Sequence, residues 1–477
     1  MTALSRNARR RLALYGGAAA VALLALGVPR LVSRLQPAVK VRPLIAEADA
    51  AMEREATKLL VELVRIDTSN PPGRTREAVL WLAHRFGCEG IPFEIVGDDP
   101  MRPILVARLR GAAPGDALLL MNHIDVAPGD DLAQWTKPPF AAERGDEKSR
   151  FYLYGRGTLD MKGQAVAGLL AMAELKRHGI VPKRDVVFLA ESAEESYEMR
   201  YGVGWVLEHR PDLLAGVTDA LNEGGVNEVL GAEIERYGIE VMQKAIVSAW
   251  IESPSKEKLQ EFRKFLEKKD EALPAHVTEP VRDFLRFIAP SRSDVWGRVM
   301  LGAGDQLTSK KFLDETPEVY RSLLRDAIYA GPPGPAPGGG FRIRVVRSLL
   351  PGSSVQANRD ELAGWAAGHG LSLVDHVLTA DTAAAPAGGR AWSVLDTVLR
   401  LDPFERAPVG KYILNGSFTS SSLLRARGVR ALGFSPFNIN FTDASKIHAP
   451  NERISLPHFV EGVERMRLVV FEYALGS

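Results

Sequence analysis

Sulfur chemistry is nearly absent from this chain, which carries one cysteine, Cys88, in 477 residues. One thiol closes no internal disulfide, and without a second cysteine it offers neither a metal site nor a context for a nucleophile. Cys88 is therefore expected to be a small core residue. Aromatic residues make up only 7%, the formal net charge is +1, and there is no sustained basic stripe, so nothing favours a nucleic-acid partner. No G-x-S-x-G elbow is present, which removes the usual serine hydrolase. The glycines of "GRGTLDMKG" do not make a phosphate loop, because Lys162 is followed by Gly163 and not by a serine or threonine for Mg²⁺. No internal repeat is found. What the chain has is length and 46% hydrophobic residues, enough for a large core shared among two or three folded units.

One long uncharged run is present. Leu12 to Val28 follows Arg6, Arg9, Arg10 and Arg11, and Pro29-Arg30 closes it. As a helix it would span roughly 25 Å, short of a ~30 Å hydrocarbon core. Residues 1–34 thus read as a membrane anchor or as a signal peptide, Ala25 and Gly27 supplying small residues before a cleavage site. Arg30, Arg34, Lys40 and Arg42 follow, so flanking charge does not set orientation. The globular part is expected outside the cytoplasmic membrane, exported or anchored.

Beyond residue 44, helical spacing alternates with short apolar strands. "ILVARLRG", "DALLLMNHID" and "RDVVFLAES" read as strands, and "MKGQAVAGLLAMAELKRHG" as a helix. That alternation predicts an α/β fold with a mostly parallel central sheet, residues 35–242 and 386–477, whose ligand sites collect beyond the strands' carboxyl ends. Between 243 and 385 the texture becomes that of an inserted, smaller α+β domain. It contains strand "KAIVSAWIES", three helices ending with "TPEVYRSLLRDAI", the low-complexity "GPPGPAPGGG", strand "FRIRVVRSLL", helix "SVQANRDELAGWAAG" and strand "LSLVDHVL".

The strand ends carry the chemistry. Positions i and i+2 of a strand face one side, so Asp125 can hold one nitrogen of His123 and leave the other free for a metal. Asp160 sits in a glycine-rich turn, Glu194 and Glu195 are adjacent at a strand end, Glu223 follows another strand in "NEGG", and His448 precedes the last helix. Asp160, Glu195 and Glu223 together bring three negative charges that are costly to cluster. Two divalent cations and a hydroxide would balance them. Imidazole and carboxylate donors without thiolate suit Zn²⁺, Co²⁺ or Mn²⁺ in an open site. Whichever of Glu194 and Glu195 binds no metal is free to act as general base. The other histidines, His84, His178, His209, His369, His376 and His458, read as solvated or packed.

The series "NHIDVAPGD", "YLYGRGTLDMKG", "AEES", "NEGG" and "KIHAPNERI" resembles the di-zinc metallopeptidase family of aminoacylase, glutamate carboxypeptidase, carnosinase and succinyl-diaminopimelate desuccinylase. The resemblance covers most of residues 45–477. It implies that His123 and Glu223 hold one metal, Glu195 and His448 the other, with Asp160 bridging. It also implies that Asp125 orients His123, that Glu194 is the base, and that the Asp160–Met161 peptide is cis. The expected activity is zinc-dependent hydrolysis of an amide or peptide bond in a small N-acyl amino acid or short peptide, through metal-bound hydroxide. The inserted domain is expected to be a lid, with a possible homodimer formed through it. Three departures stand out. The Gly-His-x-Ser stretch of relatives is missing from "AIVSAWIESPSKEKLQ", with His276 the nearest substitute and "GHGLS" (368–372) alike only in letters. "NGSFTSS" (415–421) places Ser420 where relatives have an aspartate, and the Gly/Pro run replaces an Asn-Val-Ile-Pro strand. The alternative these raise is a catalytically impaired metal-binding protein on the same fold.

Overall fold

The run Ala117–His123 is buried at every position because it lies between two parallel neighbours, Val186–Glu191 and Val217–Asn222. Such doubly flanked strands need apolar side chains on both faces. In the computed structural model, which describes residues 49–476 apart from 114, 130–131, 148–149, 197, 231–232, 292–294, 303, 316–320, 380–383, 386–387 and 415–417, these strands form the centre of a nine-stranded sheet. Arg430–Gly433 extends the parallel core beside Val217–Asn222. On one flank Ile104–Leu109 and Phe93–Val96 add antiparallel. On the other lie Glu233–Gln243 with its parallel partner Val409–Leu414 and its antiparallel partner Val226–Leu230. Leu119, Met121, Val187 and Leu189 pack with Val203, Val206 and Leu424 into one continuous core. Helix Lys162–Arg177, buried along nearly its whole length, packs against the final helix Leu456–Leu475. A small third sheet joins Arg453–Ser455 to Arg150–Tyr154 and Glu143–Glu147. All of this lies within one unit, Arg54–Leu475.

The large sheet is therefore mixed, with a parallel centre and antiparallel flanks, and an α+β unit is inserted between two of its strands. The insert's sheet consists of Ala327–Ala330, Phe341–Leu349, Ala245–Ser253 and Ser372–Leu378, all antiparallel. Helices Lys256–Glu271 and Val355–Gly368 set Leu259, Phe262, Leu266, Leu362 and Ala366 on Ala249, Ile251, Ile343 and Val345. Ser255 and Ser354 cap them by accepting from the Lys258 and Ala357 amides, which is why both helices start where a serine stands.

Several expectations are corrected here. The helix expected across "TPEVYRSLLRDAI" does not continue to its end, because Ala327–Ala330 pairs with Phe341–Leu349, and sheet pairing overrides local helical spacing. The Gly/Pro run forms part of the same hairpin, since Gly334 and Pro335 pair with Arg342 and Phe341. Cys88 is exposed, because Val79, Leu82, Ala83 and Phe86 take the buried face of helix Arg76–Cys88. The exported or membrane-anchored placement is also corrected. Among the described residues no helix is long and apolar enough to cross a membrane, and the run 12–28 on which that expectation rested lies outside the described residues.

Candidate active site

His123 ends the central strand and is 1% exposed. Its Nδ1 stands 2.9 Å from the Asp125 backbone carbonyl, whereas the Asp125 carboxylate is 3.6 Å away. The main chain is thus the nearer partner of Nδ1, with the carboxylate behind it. A carbonyl only accepts, so Nδ1 carries a hydrogen and a neutral ring leaves a bare lone pair on Nε2. That nitrogen faces Asp160 Oδ1 at 2.9 Å and Glu223 Oε2 at 3.7 Å. A lone pair against two carboxylates is repulsive unless a proton or a cation lies between them.

Asp125 is occupied elsewhere. Its Oδ1 accepts from the Glu194 amide at 3.2 Å, and its Oδ2 from the Glu195 amide at 3.1 Å and Asn70 Nδ2 at 2.9 Å. The segment Thr68–Asn70 is laid beside this strand end by Asn70 N to Val126 O and Val126 N to Thr68 O.

Asp160 holds the middle of the cluster. Its Oδ1 faces His123 and its Oδ2 faces His448 Nε2, also at 2.9 Å. The turn that presents it uses Gly157 at φ +85°, and a Cβ there would meet Val126 Cγ1 at 2.7 Å. The Asp160–Met161 peptide is cis. Glu195 Oε2 lies 3.1 Å from His448 Nε2, and its Oε1 accepts from the Ala127 amide. Glu223 is released from its strand by Gly224 at φ +100° and by Gly225, whose Cβ would meet the Phe434 backbone at 2.7 Å. His448 itself adopts φ +60°. All five residues expected to bind metal, and Glu194, come together. Ligand atoms of His123, Asp160 and Glu195 lie within 4.8 Å of one another, as do those of His123, Glu194 and Glu223.

Electrostatics tests whether divalent cations fit. Burial and neighbouring acids push Glu223 up to about 7. Burial, then the charge of Glu223, raises Glu194 well above the carboxylate range, and burial raises Glu195. Hydrogen bonds to Asp160 and Glu195 raise His448 to about 10. Burial opposes charge on both His123 and Asp160, yet Glu223 and the facing acids raise the imidazole, while the two imidazoles hold Asp160 far below the usual range. Every shift except that of Asp160 is toward binding a proton. Among the described residues the buried Glu194 Oε1 has no hydrogen-bond partner. Two ligand atoms ~2.1 Å from one cation at tetrahedral angles stand ~3.4 Å apart, and the observed imidazole–carboxylate separations of 2.9, 2.9, 3.1 and 3.7 Å bracket that value. The donor set therefore fits bound divalent cations.

Other sequence candidates lie apart or are otherwise engaged. His276 sits beside the isolated Ala275–Arg325 bridge. His369 caps helix Val355–Gly368, with Nδ1 on the Trp365 carbonyl and its ring against Phe262 and Phe265. Ser420 is buried and bonds to Glu191, and 415–417 of its stretch lie outside the described residues. His84, His178 and His209 contact residues four positions earlier or later, Cys88, Glu174 and Trp205 respectively. Sequence reading missed Asn70, Asn451 and Glu452. Only Glu452 left a signal, a carboxylate four residues after His448.

A probable succinyl-diaminopimelate desuccinylase of Staphylococcus aureus is 34% identical over 143 residues, 30% of this chain and 33% of that protein. An N-formyl-4-amino-5-aminomethyl-2-methylpyrimidine deformylase of Halalkalibacterium halodurans is 33% identical over 161 residues, 32% and 36% of the two chains. The chain thus spans about a third of the length of the curated relatives it matches. Among solved structures, human carnosine dipeptidase 1 superposes with TM-score 0.69 at 16% identity, covering 91% of this chain and 99% of that one. An M20 metallo-carboxypeptidase of Sulfolobus solfataricus gives 0.67 at 16%, covering 88% and 99%. These two likenesses establish the fold. Residues 119–383, more than half of the chain, match Peptidase family M20/M25/M40, and the chain belongs to that hydrolase family.

Proposed function

We propose that this chain is a cation-dependent amidohydrolase acting on an N-acyl amino acid or short peptide. In this reading His123 and Glu223 hold one divalent cation, zinc by preference. Glu195 and His448 hold the other, Asp160 spans both, and Glu194 is the general base. The observation that carries it is the division of the Asp160 carboxylate, one oxygen to each imidazole, beside a buried Glu194 oxygen with no partner among the described residues. The names of the relatives, a desuccinylase, a deformylase and a dipeptidase, have in common the breaking of a carbonyl–nitrogen bond.

Bound divalent cations would supply Lewis-acid polarisation and a more acidic water. The protein's part is proton traffic and placement. Glu194 takes the proton from the attacking water and returns it to the leaving amine. Its burial favours this, because one of its oxygens is shielded from water and has no hydrogen-bond partner among the described residues, which leaves it open to the proton. Asp125 fixes the amides of Glu194 and Glu195, so the base and the neighbouring ligand keep one relative position.

The test is mass-spectrometric hydrolysis of pooled N-acyl amino acids and dipeptides by the full chain, with zinc and with chelator. Cleavage that zinc restores and chelator removes is expected. Glu194→Gln should lower turnover by ~10²–10⁴-fold while the bound metal remains. Unchanged turnover in that variant would end the assignment of the base.

A further inference from the structure

The loop from Lys446 to Glu452 brings more to the site than the His448 imidazole. Glu452 is completely buried. Its Oε1 accepts from the amides of Leu159 at 3.0 Å and Asp160 at 3.4 Å, and its Oε2 accepts from Arg156 Nη1 at 2.8 Å. Its carbonyl accepts from the Gly155 amide at 2.9 Å. One residue therefore grips the turn 155–160 at its start, its arginine and its end. Arg156 Nη2 also donates to the Pro128 carbonyl at 3.1 Å, tying the turn to the loop that follows His123 and Asp125. Next to Glu452, Asn451 at φ +64° accepts from Thr136 N and Oγ1 and donates to the Gln134 carbonyl. The His448 loop is held on both sides of the cluster, and the hydrogen bonds of the Glu452 carboxylate go to Arg156 and to the Leu159 and Asp160 amides.

We propose that Glu452 is a positioning residue for the cation pair. By fixing the Leu159 and Asp160 amides it sets the angle at which the Asp160 carboxylate spans His123 and His448, and it does so from the loop that carries His448. Displacement of either loop is felt at both cation positions. This inference rests on the cation reading given above.

The two can fail separately in one set of titrations. Zinc is titrated into chelator-treated full-length protein in competition with a chromophoric chelator, for wild type, Glu452→Gln, Glu452→Asp and Arg156→Gln, each checked for folding by circular dichroism. In Glu452→Gln an amide NH₂ meets either Arg156 or the backbone amides, donor against donor. Glu452→Asp keeps the charge but withdraws it by one bond, ~1.5 Å. Both should weaken zinc binding by ~10–100-fold, the usual cost of removing an outer partner of a metal ligand. Arg156→Gln removes the hold on Glu452 Oε2 and on Pro128 but leaves both amide contacts in place, so it should melt at lower temperature and weaken zinc binding less than either Glu452 variant. If wild type binds fewer than two zinc ions, the underlying reading fails whatever Glu452 does. If wild type binds two and both Glu452 variants match it, the positioning role is overturned. Equal weakening in Arg156→Gln also overturns it, because stability and not amide placement would then set affinity. Should Glu452→Gln fail to fold, Glu452→Asp against Arg156→Gln decides.

Discussion

Glu194 and Glu195 are neighbours with opposite surroundings. Glu195 has both oxygens engaged, by the Ala127 amide and by His448, while Glu194 keeps a buried oxygen without a partner among the described residues. What separates them is Asp125, which receives both of their amides and fixes the turn between them. This argues against treating Asp125 as an orienter of His123 through its side chain, since the backbone carbonyl already does that at 2.9 Å. The two roles predict different failures. In Asp125→Asn the carbonyl contact to His123 persists, but the side-chain amide turns a donor toward a donor and leaves one buried N–H unpaired, a cost of ~1–3 kcal/mol. Thermal melts should show that loss. In a two-phase zinc titration only the phase belonging to Glu195 and His448 should weaken, which pairing the variant with His448→Ala identifies by non-additivity. Weakening confined to the His123 phase would restore the older role for the carboxylate.

At the scale of elements, the hairpin of the inserted unit gives a clean contrast between stability and site. Gly340 has φ +77°, and a Cβ there would meet the Ser253 carbonyl at 2.9 Å, whereas Gly339 at φ +93° has nothing within 4 Å. Gly340→Ala should therefore cost ~1–2 kcal/mol from the left-handed backbone alone, and more from the contact, with Gly339→Ala the milder of the two. Because neither residue reaches the cluster, zinc affinity should stay at the wild-type value in both, and a change there would mean that the insert communicates with the site. The same hairpin shows why parts of the fold were unreadable. A Gly/Pro run looks like a linker, and only its partner strand Phe341–Leu349 makes it structure. The strand ends were readable for the opposite reason: in "NHID" and "ESAEES" the apolar run and the charged residues that terminate it are contiguous, so local pattern is enough. Glu452 was not, because its bond to the Leu159 amide spans 293 positions, and Asn70 reaches Asp125 across 55. Sequence shows which residues end a strand. It does not show which distant loop will hold them.

Several raised side chains of the molecule share one site, and they weigh heavily in how its stability should respond to pH. Without metal, Glu223 is raised from the usual 4.5 to about 7, Glu194 and Glu195 move the same way, and His448 is raised from 6.5 to about 10. A group raised in the folded state contributes stability that is complete below its unfolded value and is lost as pH climbs through its folded value. The acids therefore withdraw support between about pH 4.5 and 7, and His448 withdraws it between 6.5 and about 10. Asp160, held low, has the opposite sign, but its window lies below 3.8 and is already passed. Lys162, lowered by burial from 10.5 to about 7, has the opposite sign and regains support above pH 7, so in chelator the melting temperature should fall from about pH 5 to about pH 7 and more gently beyond. Zinc reverses the slope, because a cation takes the places of those protons and binds more tightly as they leave. At a hundred times its dissociation constant each zinc should add ~2.7 kcal/mol, so the two curves diverge as pH rises. Melts of the full chain in chelator and in excess zinc across that range decide the matter. A chelator curve that stays flat or rises would show that these side chains are not clustered as described, and parallel curves would show that zinc binds somewhere other than among the titrating groups.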